Sequence, residues 1–204
     1  MALLSNYLND ARIDVACITE HWLQTNVADV VRINNYKIAS KCCRKEYKHG
    51  GTLILTRNEY RTTAIDIDEN VRKIHIEASA VHLMKENMVI LAVYRSQLGD
   101  WEIFRKGLKR ILVYLFQRYP KSLMVVAGDF NINFILNTPQ EREIKNDFAT
   151  FGMQEVFKEY SRVTKNSSTC IDNIFISDAI TLLRKDKKNA NLQQKMYLPF
   201  RGKH

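Results

Sequence analysis

The chain has 204 residues, 46% hydrophobic and 26% charged, with a formal net charge of +9 at neutral pH. That length accommodates one domain with a sizeable core, and that composition excludes fibrous, collagenous and disordered classes. The charge is uneven: residues 184–204 hold seven Lys and Arg against Asp186, so residues 1–183 carry a net charge of +3, and charge by itself is weak support for nucleic-acid binding by the body.

No apolar run approaches the roughly 18 residues that a membrane span needs, and residues 1–4 are too short an apolar start for a signal peptide. The expected setting is intracellular, nucleus or cytoplasm, with no membrane partner. Cys17 and Cys170 sit in apolar, strand-like runs and read as buried small hydrophobes. Cys42 and Cys43 are adjacent, with no C-x-x-C pair and no histidine at zinc-ligand spacing, which argues against a disulfide framework or a structural zinc.

In chain order, Leu3, Leu4, Tyr7 and Leu8 share one face of a helix over residues 2–10. Residues 13–19 form a short apolar run rich in branched side chains, hence a largely buried strand. Strand patterns follow at 36–41, 51–56, 61–67, 72–83 and 88–94. The 72–83 run alternates, with Ile74, Ile76, Ala78 and Ala80 against His75, Glu77 and Ser79, so its second face is expected to be wetter. Trp101, Phe104, Leu108, Leu112, Leu115 and Phe116 recur at helical spacing and stop before Pro120. Residues 123–127 are another buried strand, Pro139 precedes a helix over 140–151, and 169–177 is a last strand. Residues 184–204 lose all periodicity and read as a disordered basic tail to a domain spanning 1–183. Strands interleaved with a few helices indicate a layered α/β or α+β fold.

One setting recurs: an apolar strand that ends in a polar group. Residues 13–19 lead to Glu20, residues 89–93 to Tyr94 and Arg95, and residues 123–128 to Asp129 with Asn131 close behind. Asp172 interrupts the last strand, and a carboxylate among Cys, Ile and Phe needs partners if it is buried. Strand ends meet at one edge of a sheet, where layered α/β proteins bind ligands. Carboxylates and amides gathered there suit a hard cation such as Mg2+, with Mn2+ as a substitute. Taken singly, each residue has a plainer reading: a solvated strand-end charge for Glu20, a turn at Gly128-Asp129, a sheet-edge aromatic for Tyr94.

The motifs together resemble one family. Cys17-Ile18-Thr19-Glu20-His21-Trp22-Leu23 is similar to the metal-glutamate motif of the endonuclease/exonuclease/phosphatase superfamily. Gly50-Gly51-Thr52-Leu53-Ile54, Val93-Tyr94-Arg95 and Ala127-Gly128-Asp129-Phe130-Asn131 resemble three more of its motifs, in family order. Arg162-Val163-Thr164, followed by Ser167-Ser168-Thr169-Cys170-Ile171-Asp172-Asn173-Ile174-Phe175, is similar to the apurinic-endonuclease-like domain of non-LTR retrotransposons. The resemblance implies a four-layer sandwich of two mixed β-sheets flanked by helices. It implies Glu20 as metal ligand, Tyr94 on the scissile phosphate, and Asp129 and Asn131 on the attacking water. Asp172 would orient a catalytic histidine, and Arg95 and Arg162 would contact nucleic acid. The implied partners are DNA and a reverse-transcriptase domain in the parent element.

Two family motifs have no counterpart here: a first strand carrying a metal-site Asn, and a C-terminal "S-D-H". Ser177-Asp178 is followed by Ala179 and lies too close to Asp172 to be the latter. His21, His49, His75, His82 and His204 lie in no matching context. The domain is therefore expected to be incomplete at both ends and a pseudoenzyme or nearly so. Two other readings stand beside a degenerate DNA endonuclease: a non-catalytic remnant that binds nucleic acid or protein, and a phosphatase of small phosphate esters. The stretch from Ser167 to Phe175 favours the retrotransposon branch over the phosphatase.

Overall fold

The central strands are buried on both faces, and alternate side chains along them go to different cores, three among the described residues, which define the layers. The computed structural model describes residues 2–44, 50–68, 75–156, 158, 162–163, 168–177 and 196–197. Its elements are α1 (Ala2–Asp10), β1 (Val15–Thr19), α2 (Thr25–Val30), β2 (Tyr36–Cys42), β3 (Thr52–Arg57), β4 (Thr62–Ile65), β5 (Glu77–Leu83) and β6 (Met88–Tyr94). They continue with α3 (Trp101–Arg118), β7 (Leu123–Asp129), α4 (Pro139–Ala149), β8 (Met153–Glu155), β9 (Arg162–Val163), β10 (Ser168–Thr169), β11 (Asp172–Ser177) and β12 (Met196–Tyr197).

Two sheets carry the fold, one ordered β12-β1-β3-β2 and the other β4-β5-β6-β7-β11-β8, while β9 and β10 pair as a short ribbon. Val15, Cys17 and Ile54 of the first sheet pack on Val81, Ile90, Ala92, Val125, Ala127 and Ile174 of the second. On the outer face of the first sheet, Ala16, Ile18, Leu53 and Leu55 pack on Leu8 of α1. On the outer face of the second, Val89, Leu91, Val126 and Phe175 pack on Phe104, Leu108, Leu112 and Leu115 of α3 and on Ile144 and Phe148 of α4. Helix, sheet, sheet and helix follow in turn, which is the expected four-layer sandwich.

Local chemistry sets the helix ends. Asp100 accepts from the Ile103 amide (2.8 Å) to cap α3, and Thr138 does the same for α4 (3.2 Å) with Pro139 in its first turn. Trp101 donates to Glu143 (2.7 Å), and Arg105 reaches Asp147 (2.8 Å), tying α3 to α4. Cys17 and Cys170 are buried as expected, and burial pushes the Cys17 thiol up to about 12.

Two expectations are corrected. The second face of β5 is not wet: Glu77 and Ser79 are buried because that face looks at the other sheet, where Thr52 of β3 donates to Ser79 (3.0 Å). Asp172 does not interrupt a strand but begins one, since Ser168–Thr169 turns away to pair with β9. β7 runs through Gly128 and ends at Asp129 as expected, so the plainer reading of a turn there does not hold. The segment 184–204, read as a tail, lies outside the described residues except for Met196–Tyr197, which pairs parallel to β1.

At Gly128 the backbone of β6 comes too close for a side chain: an added Cβ would lie 1.9 Å from the Val93 carbonyl oxygen. Gly128→Ala must therefore push apart the central parallel pair. We expect a loss of about 1–3 kcal/mol, the usual cost of overpacking a core, seen as a lower urea midpoint. An unchanged midpoint would show that the pair is looser than described.

Candidate active site

Register places four chemical groups in one line across four adjacent strands. Glu77 on β5 is opposite Tyr94 on β6, Tyr94 is opposite Asp129 on β7, and Asp129 is opposite Asp172 on β11. Directly paired residues share a sheet face. In β5, β6, β7 and β11 these positions have the same parity as Val81, Ile90, Val125 and Ile174, which line the gap between the sheets. All four therefore belong to that gap, at the end of the sheet where β6 and β7 terminate. Glu77, Asp129 and Asp172 are buried, Asp129 completely.

Glu20 closes the line from the other sheet. It follows β1 directly, and its carboxylate accepts from the Tyr94 hydroxyl (2.8 Å). Glu20 and Trp22 both hold left-handed backbone conformations, φ 53° and 55°, which cost a non-glycine residue about 1–3 kcal/mol each. Neighbouring bonds hold them there. The Glu20 amide donates to the Gly51 carbonyl (2.8 Å) and the Trp22 amide to the Gly50 carbonyl (3.0 Å). His21, between them, accepts from the Leu23 amide (2.9 Å) and its other ring nitrogen meets the Cys42 carbonyl (3.1 Å). Burial lowers the His21 pKa and favours the neutral ring those two bonds require. Gly50 and Gly51 are themselves left-handed, and Gly51 donates its amide to Glu77.

Around Tyr94 the electrostatics run one way. Burial first, then the hydrogen bond to Glu20, then the charges of Glu20, Asp129 and Glu77 hold its phenol protonated well above the ordinary range. Burial also raises Glu77, outweighing the Gly51 amide and the Arg44 guanidinium that favour its charged form.

Asn131 turns back at the end of β7 with φ 50°, a conformation asparagine tolerates. Its amide nitrogen donates to Asp129 (2.9 Å), and its side chain donates to the Arg95 carbonyl (2.5 Å). Arg95, expected to touch nucleic acid, points inward instead. It is buried, and its guanidinium donates to the carbonyls of Phe130 (2.7 Å), Asn131 (2.9 Å) and Gly99 (3.2 Å). With its donors engaged by backbone carbonyls it holds the Asn131 loop in place. Arg162 lies in β9, and its side chain is outside the described residues.

The structure thus brings Glu20, Tyr94, Asp129, Asn131 and Asp172 to one end of the gap. It adds Glu77 and Arg44, which sequence reasoning missed. The available signal was the turn over residues 84–87: counting back from it along the hairpin puts Glu77 opposite Tyr94. Of the described histidines, His21 is bonded as above, His75 accepts from the Asp100 amide (2.9 Å), and His82 stands against the Tyr119 ring at 4.9 Å. His49 and His204 lie outside the described residues. A cleft of about 1030 Å³ opens away from this line, between β2 and β4–β5, with Arg32, Lys37, Lys41 and Asp66 on its walls and none of the site residues.

Oxygen donors of this kind suit a hard divalent cation in type. In number they fall short of a protein cage, since no three His, Cys, Asp or Glu converge on one point among the described residues. Mg2+ commonly takes one or two carboxylates and completes its shell with water and substrate oxygens, so the donor set fits a loosely held ion.

Neither family models nor curated proteins match the sequence. Solved structures do. The endonuclease domain of TRAS1, a telomere-specific non-LTR retrotransposon, superimposes with a TM-score of 0.60 at 11% identity, over 88% of this chain and 80% of that one. An endonuclease/exonuclease/phosphatase from Bacteroides vulgatus gives 0.59 at 14% identity, over 86% and 77%. The 3′ phosphatase NExo from Neisseria, bound to a product DNA hairpin, gives 0.64 at 14% identity, over 88% and 82%. The fold is that of the endonuclease/exonuclease/phosphatase proteins. In this endonuclease/exonuclease/phosphatase fold, the line of polar groups lies at the shared ends of β6 and β7, beside the end of β1.

The raised Tyr94 pKa has a measurable sign. An unfolded tyrosine ionises near pH 10, while folded Tyr94 keeps its proton to higher pH. Above pH 10 the unfolded state therefore binds fewer protons, and stability falls as the pH rises. Tyr94→Phe removes that loss along with the bond to Glu20. At pH 8 the variant should be less stable by about 1–2 kcal/mol, and the difference should shrink at pH 10.5. Urea melts at the two pH values check this, and a constant difference would contradict it.

Proposed function

We propose that this chain carries a divalent-cation-dependent phosphodiesterase site for DNA, of the kind non-LTR retrotransposon endonucleases use, with low turnover. The observation that carries the reading is the register line Glu77, Tyr94, Asp129 and Asp172, closed by Glu20 from the facing sheet. The resemblance of residues 162–175 to the retrotransposon branch supports the choice of DNA, as does the DNA product bound to the Neisseria phosphatase of the same fold.

Asp129 is the residue placed to orient and deprotonate an attacking water: it is rigid, at a strand end, and fixed by the Asn131 amide. Asn131, locked by its bond to the Arg95 carbonyl, offers a fixed polar group beside that water. Asp172 is paired with Asp129 across the sheet, where it would orient a histidine if one reached the site. Tyr94 stands beside Asp129 on the same sheet, and its hydroxyl reaches Glu20 on the facing one. Hydrolysis of a phosphodiester builds charge on the non-bridging oxygens, and a cation held by Glu20 with water and substrate oxygens would supply its stabilisation. Among the described histidines, His21 and His75 are held in other hydrogen bonds, and losing a positioned general acid–base costs roughly 10²–10⁴-fold. Low turnover follows.

Supercoiled plasmid with Mg2+ or Mn2+ tests this. Nicking should be slow and metal-dependent, and Asp129→Ala or Asn131→Ala should abolish it. Nicking indifferent to both substitutions would move the chemistry elsewhere. DNA binding without any nicking would favour the second reading, a non-catalytic nucleic-acid binder. For the cation itself, calorimetry should give binding in about the millimolar range or weaker, lost in Glu20→Ala; tight binding would mean a fuller ligand shell.

A further inference from the structure

The site is crowded with acids: Glu20, Glu77, Asp129 and Asp172 share one end of the gap. A phosphodiester is itself anionic, so something must offset that field before any phosphate can settle. Arg95 does not present its guanidinium to the gap, since its donors go to backbone carbonyls below Asp129. Arg44 is differently placed. Its Nε and Nη2 pair with Oε1 of Glu77, and its guanidinium carbon stands 6.0 Å from the Tyr94 ring centroid. Both Arg44 and Glu77 pack over Gly50, where an added Cβ would lie 2.8 Å from Glu77 Oε1 and closer still to the guanidinium.

Exposure orders the pair. The Arg44 side chain is 16% exposed and that of Glu77 5%, so Arg44 is the less covered member of the pair, although its Nη2 is itself buried. A planar guanidinium can meet a carboxylate and a phosphate together, because its five donors point along more than one edge. The buried Glu77 carboxylate anchors it over Tyr94, at the mouth of the line.

We infer that Arg44, anchored by Glu77 over Tyr94, is the phosphate-contacting cation of this site. The inference rests on the phosphodiesterase reading, but it assigns the contact to a residue outside every motif that led to that reading. It also moves the role from Arg95 to Arg44.

Salt dependence distinguishes a phosphate contact from a structural ion pair, because each neutralised phosphate adds about 0.9 to the slope of log K against log salt on duplex DNA. The measurement is fluorescence anisotropy of a labelled duplex with the full chain, in EDTA, across a series of KCl concentrations. Arg44→Ala should weaken binding about tenfold at low salt and lower the slope by about one, and Arg44→Lys should keep the slope. Arg44→Ala strands a buried carboxylate, so Arg44→Met with Glu77→Gln provides the folded control, verified by thermal melting. If Arg44 contacts phosphate, that double variant keeps the lowered slope. If Arg44 merely neutralises Glu77, the double variant regains wild-type binding and the inference fails. A wild-type slope in Arg44→Ala also overturns it while leaving the phosphodiesterase reading intact. A wild-type chain with no salt-dependent binding overturns both.

Discussion

β6 and β7 run parallel, joined by α3, and their pairing is in register from Met88 with Leu123 to Tyr94 with Asp129. A parallel pair needs a crossover, and a crossover helix must pack back on the sheet. That single requirement puts α3 on one face and leaves the other face to the second sheet. It also makes both strands end together, so Tyr94 and Asp129 arrive side by side. Gly128 is the local cost of so close an approach, with the Val93 carbonyl occupying the space a side chain would need.

Everything polar in the site is then built outward from that pair. The hairpin from β6 back to β5 adds Glu77, and the antiparallel return of β11 adds Asp172. The other sheet contributes from its strand ends: Glu20 after β1, Gly51 before β3 and Arg44 after β2. Bringing Glu20 there takes two left-handed residues, and the glycines Gly50 and Gly51 accept the hydrogen bonds that hold them. Backbone strain of this sort persists only where its surroundings over-determine it. Here the surroundings are His21, Glu77 and the two carbonyls.

Burying several carboxylates at one end of a gap raises the energy of their charged forms. The protein offsets this with local donors: the Tyr94 hydroxyl on Glu20, the Asn131 amide on Asp129, and the Gly51 amide and Arg44 on Glu77. These donors do two jobs. They stabilise the fold, and they fix the direction of each oxygen at the mouth of the gap. The same field that raises the Tyr94 pKa would draw a divalent cation and repel a bare phosphate, which is why a cation near Tyr94 matters to any anionic ligand.

Much was readable from residue patterns. The apolar runs located β1, β2, β3, β4, β6 and β7 to within two residues, because a strand buried on both faces is nearly continuous in hydrophobicity. β5 and β11 start later than their runs, and the short β8, β9, β10 and β12 were not legible. α3 and α4 were legible from period and caps, and the end-of-strand positions of Glu20, Tyr94, Asp129 and Asn131 followed from where those runs stopped. α2 was not legible, being six residues long with a single buried side chain. What residue patterns could not decide was which face of a strand meets water. Glu77 and Ser79 alternate with alanines as a half-wet strand would, yet a second sheet covers them. Nor could they decide direction: Arg95 lies beside Tyr94 in the chain, but the Asn131 loop draws it inward, while Arg44, 50 positions before Tyr94, comes over its ring. Period and composition are local properties of the chain and determined the elements. Register and the stacking of two sheets are long-range, and they alone decided which charged groups share the gap.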